Sequence, residues 1–145
     1  TNDAVSTVTR FRDMGIAPYL IASSLVGVVA QRLVRRVCPD CRQAHAPTEQ
    51  EAILLRSYGV ETDTLYRGAG CGSCSKTGYR GRIAIHEVLA VSDELRRMIG
   101  GEASVLELRA AAERAGLTGL LQDGMEKVRQ GLTTLQEVMR EAVMQ

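Results

Sequence analysis

Four cysteines occur in the chain, and they fall into two pairs with two residues inside each: Cys38 and Cys41 in VCPDC, Cys71 and Cys74 in GCGSC. Two residues between thiolates let one turn aim both sulfurs at a single ion, and two such turns complete a closed tetrahedral site with bonds near 2.3 Å. Gly70 and Gly72 flank Cys71, as suits a tight turn that points backbone amides at sulfur. The spacing predicts a structural zinc site, because four sulfur ligands leave no coordination position for substrate or water. Two disulfides are the competing arrangement, disfavoured in a chain that reads as cytoplasmic. Four unrelated thiols would not fall into equal pairs, and a redox role for one CxxC would call for a thioredoxin-like βαβ surround that the sequence does not show. His45, near the first pair, reads as a surface histidine. His86, in RIAIHEVL beside Glu87, reads as a core-edge histidine with a hydrogen-bond partner rather than a catalytic base.

Arginines cluster around the same stretches: Arg32, Arg35 and Arg36 before the first pair, Arg80 and Arg82 after the second. Such a cluster beside a four-cysteine module fits solvated or interface arginines, a nucleotide phosphate, or nucleic acid. Nucleic acid is disfavoured, because Tyr79 is the one aromatic nearby and the net charge is +1. No GxxxxGK[ST] loop is present, nor an apolar run ending in paired acids that would hold magnesium. No Ser/His/Asp or Cys/His set has persuasive spacing, so no catalytic residue is assigned.

The elements that must position these residues are short. Hydrophobic residues make up 45% of the 145, with no Trp and one Phe, so the core must be aliphatic, which suits helices. Asn2 is expected to cap a helix from Asp3 to about Met14, and Pro18 to open a second to about Leu25. VGVVAQRLVRRV, rich in Val, reads as a buried strand of a larger sheet. A capping box of Thr48 and Glu51 starts a helix stopped by Gly59. RGRIAIHEVLAV reads as a strand marked by Ile83, Ile85 and Val88. Helices should then follow from Ser92 to Gly100, from the Ser104–Glu107 box to Gly116, across Leu120, Leu121, Met125 and Val128 to Gly131, and from Thr134 with Glu137 to the C-terminus. The longest apolar run, Tyr19 to Ala30, is too short to span a bilayer, and the start TNDAVSTVTRFRD lacks the features of a signal peptide. A first residue of Thr, and a strand lacking a sheet, suggest a piece of a longer protein.

Taken together, TNDAVSTVTRFRDMGIAPYLIASSLVGVVAQRLVRRVCPDC, GCGSCSKTGYRGRIAIHEVL and DGMEKVRQGLTTLQEVMREA closely resemble the C-terminal third of the ATPases that drive bacterial type II secretion, and those of the related type IV pilus assembly ATPases. The resemblance covers nearly the whole chain and is weakest over Glu49–Asp63 and Ala103–Gly119. The closing DGMEKVRQGLTTLQEVMR favours the secretion branch. The resemblance implies an α/β fragment, the end of a RecA-like P-loop ATPase domain. It would carry a small four-cysteine zinc-binding subdomain and an α-helical C-terminal module. The implied divisions are 1–37, the ATPase domain's C-terminal part; 38–75, the metal subdomain; 76–91, a return strand to the ATPase core; and 92–145, the helical extension. It further implies a homo-hexamer in the cytoplasm, peripheral to the inner membrane, working with the platform and cytoplasmic-domain proteins of the secretion system and not with nucleic acid. Structural Zn2+ would sit at Cys38, Cys41, Cys71 and Cys74. ATP and Mg2+ would bind the full-length protein only, leaving the fragment inactive, and Arg82 would approach the nucleotide. A stand-alone zinc-ribbon module is the alternative from another class.

Overall fold

A computed structural model describes residues 3–143, as a mixed α/β arrangement. In chain order the elements are α1 (Ala4–Asp13), α2 (Pro18–Ser24), β1 (Gly27–Val37), β2 (Arg42–His45), α3 (Glu49–Ser57), β3 (Leu65–Gly68), β4 (Tyr79–Ala90), α4 (Asp93–Gly100), α5 (Val105–Arg114), α6 (Leu120–Arg129) and α7 (Leu135–Val143). Packing divides the chain into two compact units, Thr1–Ala30 with His86–Gly119 and Gln31–Ile85 with Leu120–Gln145. β1 pairs with β4. The Val91 amide donates to the Val26 carbonyl at one end, and the Cys38 amide to the Gly78 carbonyl at the other, so the strands run antiparallel. Each strand therefore brings distant sequence back beside its partner. Of the helices after Ser92, α4 and α5 belong to the first unit and α6 and α7 to the second.

The first unit is helical. α1 is capped by Asp3, whose carboxylate accepts from the Ser6 amide at 2.7 Å. Asn2, expected in that role, lies outside the described residues. Val5 and Val8 of α1, Ile21 of α2, Leu89 of β4, Leu95 and Ile99 of α4, and Leu108, Ala111 and Ala112 of α5 form its aliphatic core. These positions recur at the three- and four-residue spacing of one helix face. Glu87, 3% exposed, points into this unit and accepts from the Ala4 amide at 2.7 Å. Arg109 lies 2.9 Å from Asp3 and 3.8 Å from Glu87. Burial works to raise the Asp3 pKa, but hydrogen bonds from Ser6 and the charge of Arg109 outweigh it and hold the carboxyl below its usual range.

The second unit carries the cysteines. β2 and β3 pair antiparallel, with Arg42 opposite Gly68 and His45 opposite Leu65. α3 begins with the expected reciprocal capping box, Thr48 Oγ1 accepting from the Glu51 amide and Glu51 Oε1 accepting from the Thr48 amide. Leu55, Val60, Leu65, Met125, Val128, Leu135 and Val138 make its core. α6 and α7 approach closely at Gly124, where an added Cβ would come 2.4 Å from Val138 Cγ1. β1 departs from expectation. It pairs with β4 alone among the described strands, so alternate residues face outward, and Val29 and Leu33 are 62% and 43% exposed.

Candidate metal centre

The sequence folds around the cysteines as two turns that face each other. Cys38 directly follows β1, and Cys41 lies in the turn that leads into β2. Cys71 and Cys74 lie in the turn between β3 and β4, wound by the Lys76 amide donating to the Cys71 carbonyl at 2.9 Å and the Thr77 amide to the Cys74 carbonyl at 3.1 Å. Ser75 and Lys76 there adopt left-handed backbone angles, with φ of 54° and 68°, a conformation that non-glycine residues visit only when the surroundings fix it.

All four Sγ atoms lie within 4.8 Å of one another. The separations Cys38–Cys71, Cys41–Cys74 and Cys71–Cys74 are each 3.8 Å. A tetrahedron with four bonds of about 2.3 Å has edges of about 3.8 Å, so the donor set fits a metal ion and its chemistry is consistent with zinc. The thiols are free, and disulfides do not account for them. Backbone amides point at two of the sulfurs: Gly70 N–H at Cys41 (3.3 Å), and Cys71 and Gly78 N–H at Cys74 (3.3 and 3.2 Å). Burial pushes the Cys41 thiol up to about 11. At Cys74 burial acts in the same direction, but the two amides and the neighbouring thiols outweigh it and bring the thiol down to about 6.

Two glycines lock the turns together. Gly78 accepts from the Cys38 amide at 3.0 Å while donating to Cys74 Sγ, so it ties the two cysteine pairs through its own backbone. Its φ is +83°, and a Cβ there would come 2.6 Å from the Gly68 carbonyl oxygen; a Cβ on Gly68 would come 2.2 Å from the Gly78 oxygen. Neither place admits a side chain. The composition of TGYRG hints at such a turn, but its partner Gly68 is not visible in the sequence.

The unit is further tied by a polar network that the sequence reading did not find. Arg35 donates to buried Glu137 through its backbone amide (3.1 Å), Nε (3.1 Å) and a terminal nitrogen (3.0 Å). Its guanidinium also sits 4.2 Å from the Tyr79 ring centroid, and the Tyr79 and Thr134 hydroxyls are hydrogen-bonded at 2.7 Å. Thr133 Oγ1 donates to the Arg35 carbonyl, and the Val37 amide to the Leu132 carbonyl, so β1 is fastened to the α6–α7 turn just before Cys38. Burial alone would raise the Glu137 pKa; Arg35 overrides it and holds the carboxyl low.

The other residues singled out from sequence lie elsewhere. Arg82 is exposed on β4 and makes no ion pair among the described residues. Arg36 is exposed, and Arg80 pairs with Asp40 at 3.2 Å. His45 is half-buried, with Nδ1 3.1 Å from the Ala46 carbonyl, and does not join the sulfur cluster. His86 is exposed, not at the core edge: strand alternation turns it outward and Glu87 inward. No described helix is long and apolar enough to cross a membrane.

Comparison with known proteins adds to this geometry. The family described as Type II/IV secretion system protein matches residues 1–140. The chain is similar to the type II secretion system ATPase E of Vibrio cholerae, with 49% identity over 97% of this chain and 28% of that protein. It is also similar to the type II secretion system protein HxcR of Pseudomonas aeruginosa, at 44% over 97% and 26%. The type IV pilus assembly ATPase PilB of Thermus thermophilus is 42% identical over 99% of the chain and 16% of that protein. The chain thus spans less than a third of the length of these relatives.

Proposed function

Because the chain belongs to the Type II/IV secretion system protein family, we propose that it forms part of a cytoplasmic, hexameric ATPase that powers type II protein secretion. The observation that carries this reading is the 49% identity to a type II secretion ATPase across 97% of the chain. In the full-length protein ATP hydrolysis with Mg2+ would drive pseudopilus assembly, the ATPase core would be RecA-like, and the motor would work at the inner membrane with the platform and cytoplasmic-domain proteins. The chain has no phosphate-binding GxxxxGK[ST] loop, so it hydrolyses no ATP alone.

Within this chain, Cys38, Cys41, Cys71 and Cys74 hold a structural Zn2+ whose thiolates are all taken up by the ion. Three sulfur separations of 3.8 Å support that reading. Arg82, exposed and without an ion pair among the described residues, is available to a nucleotide phosphate in the full-length motor.

The pilus-assembly branch is a second reading, favoured by pilus ATPases of 42% and 41% identity. Deleting the gene of the full-length protein separates the two. Retention of exoproteins in the cell with surface pili intact is the expected result. Loss of pili with secretion intact assigns the protein to the pilus branch. Failure of the purified full-length protein to hydrolyse ATP overturns both.

A further inference from the structure

The four sulfurs are not equivalent. Cys38 and Cys74 are buried, at 0% and 6% exposure, whereas Cys41 and Cys71 are half-exposed. Hydrogen bonding then separates the two accessible ones. Cys41 Sγ accepts from the Gly70 amide at 3.3 Å. Cys71 Sγ accepts from no N–H or O–H among the described residues; its polar neighbours are the Cys38 and Cys74 sulfurs, each at 3.8 Å. An amide aimed at a thiolate draws on the lone pair with which the sulfur would attack, so the sulfur without one stays the stronger nucleophile. The approach to Cys71 is also open. Gly72 and Ser73 beside it are exposed, and the space that a Cβ on Gly72 would enter holds no atom within 4 Å.

We propose that Cys71 is the modification site of the four-sulfur centre: the sulfur that soft electrophiles, maleimides and peroxides among them, reach first, and whose capping releases the ion. The inference rests on the zinc reading above. With a maleimide, the Cys71 Sγ lone pair forms a C–S bond to one alkene carbon. The alkene π pair moves to the other carbon, which takes a proton from water and leaves hydroxide. The resulting thioether is neutral and a poor zinc ligand. With hydrogen peroxide, Sγ bonds to one oxygen as the O–O bond breaks and hydroxide departs with its electron pair, giving the sulfenic acid. The Cys38 or Cys74 thiolate, 3.8 Å away, then attacks that sulfur and expels a second hydroxide. Two thiolates have lost two electrons and one peroxide has gained two.

The test uses the whole chain without substitution. Zinc per chain is measured first, and the protein is then treated with less than one equivalent of N-ethylmaleimide, quenched and mapped by peptide mass spectrometry, while a chromogenic chelator follows zinc release. The expected result is Cys71 labelled about tenfold ahead of Cys41, with zinc appearing at the rate of that labelling. First labelling at Cys41 or Cys74, or an even spread over the four, overturns the proposal while leaving the metal site standing. A chain that holds no zinc overturns the metal reading itself, and this inference with it.

Discussion

The two compact units of this chain are stabilised by different means. The first rests on an aliphatic core in which α1, α2, α4 and α5 each contribute a buried face, and its buried charge, Glu87, sits where it caps the start of α1. The second packs a smaller contiguous cluster of buried aliphatic side chains, around Leu55, Met125 and Val138, and adds four thiols and the Arg35–Glu137 network. Small folds with limited cores commonly rely on a metal in this way. The first unit should therefore tolerate loss of the metal, while the second should not, and the following predictions press on that difference.

Removing the ion with a strong chelator under reducing conditions has the largest expected effect. Amides of the loop from Cys38 to Cys74 lose their protection from hydrogen exchange, while those of α1, α4 and α5 keep it, because metal affinity in such sites is folding free energy. Equal loss in both units would erase the comparison. Next is Gly78→Ala, which sets a Cβ against the Gly68 carbonyl at φ +83°. Positive φ and the clash together should cost about 3 kcal/mol or more and lower zinc content. Gly72→Ala, with nothing within 4 Å, should stay within about 0.5 kcal/mol. Chemical denaturation with metal analysis on both variants reads the contrast.

In the first unit, Leu108→Ala empties a fully packed site, and a loss of about 3 kcal/mol with unchanged zinc per chain is expected. A fall in zinc would show that the units do not respond separately. A smaller loss than at Leu108 is expected at Glu137. Glu137→Gln leaves Arg35 without its charge partner, and because the Arg35 side chain is 41% exposed the expected cost is about 2 kcal/mol, below that of a fully buried pair. The Glu137 carboxyl titrates below its ordinary range when folded. Its stabilisation is thus complete above the unfolded value of about 4.3 and is lost as the pH falls from there through the lower folded value. Unfolding midpoints measured down that acid range should fall less steeply for the variant than for the parent.

What could be seen in the sequence was local. The cysteine spacing, the Thr48–Glu51 box and the Pro18 helix start all lie within a few residues, and the structure keeps each of them. Thr134 and Glu137 repeat the Thr48–Glu51 spacing, and the Glu137 amide does bond Thr134 Oγ1, but the Glu137 carboxylate turns to Arg35, 102 positions away. No short pattern carries that information. β2 and β3 escaped notice because RQAH and LYRG are four residues long and lack alternation. The valines of β1 suggested burial on both faces, whereas pairing with β4 leaves Val29 in the open. The family resemblance, by contrast, was legible across nearly the whole chain.

The most direct test of the central claim is X-ray absorption at the zinc edge of the purified chain. Four sulfur neighbours at about 2.3 Å, with no nitrogen or oxygen in the first shell, is the result expected if Cys38, Cys41, Cys71 and Cys74 close a structural site. A shell containing nitrogen or oxygen, or a purified chain without bound metal, would contradict it.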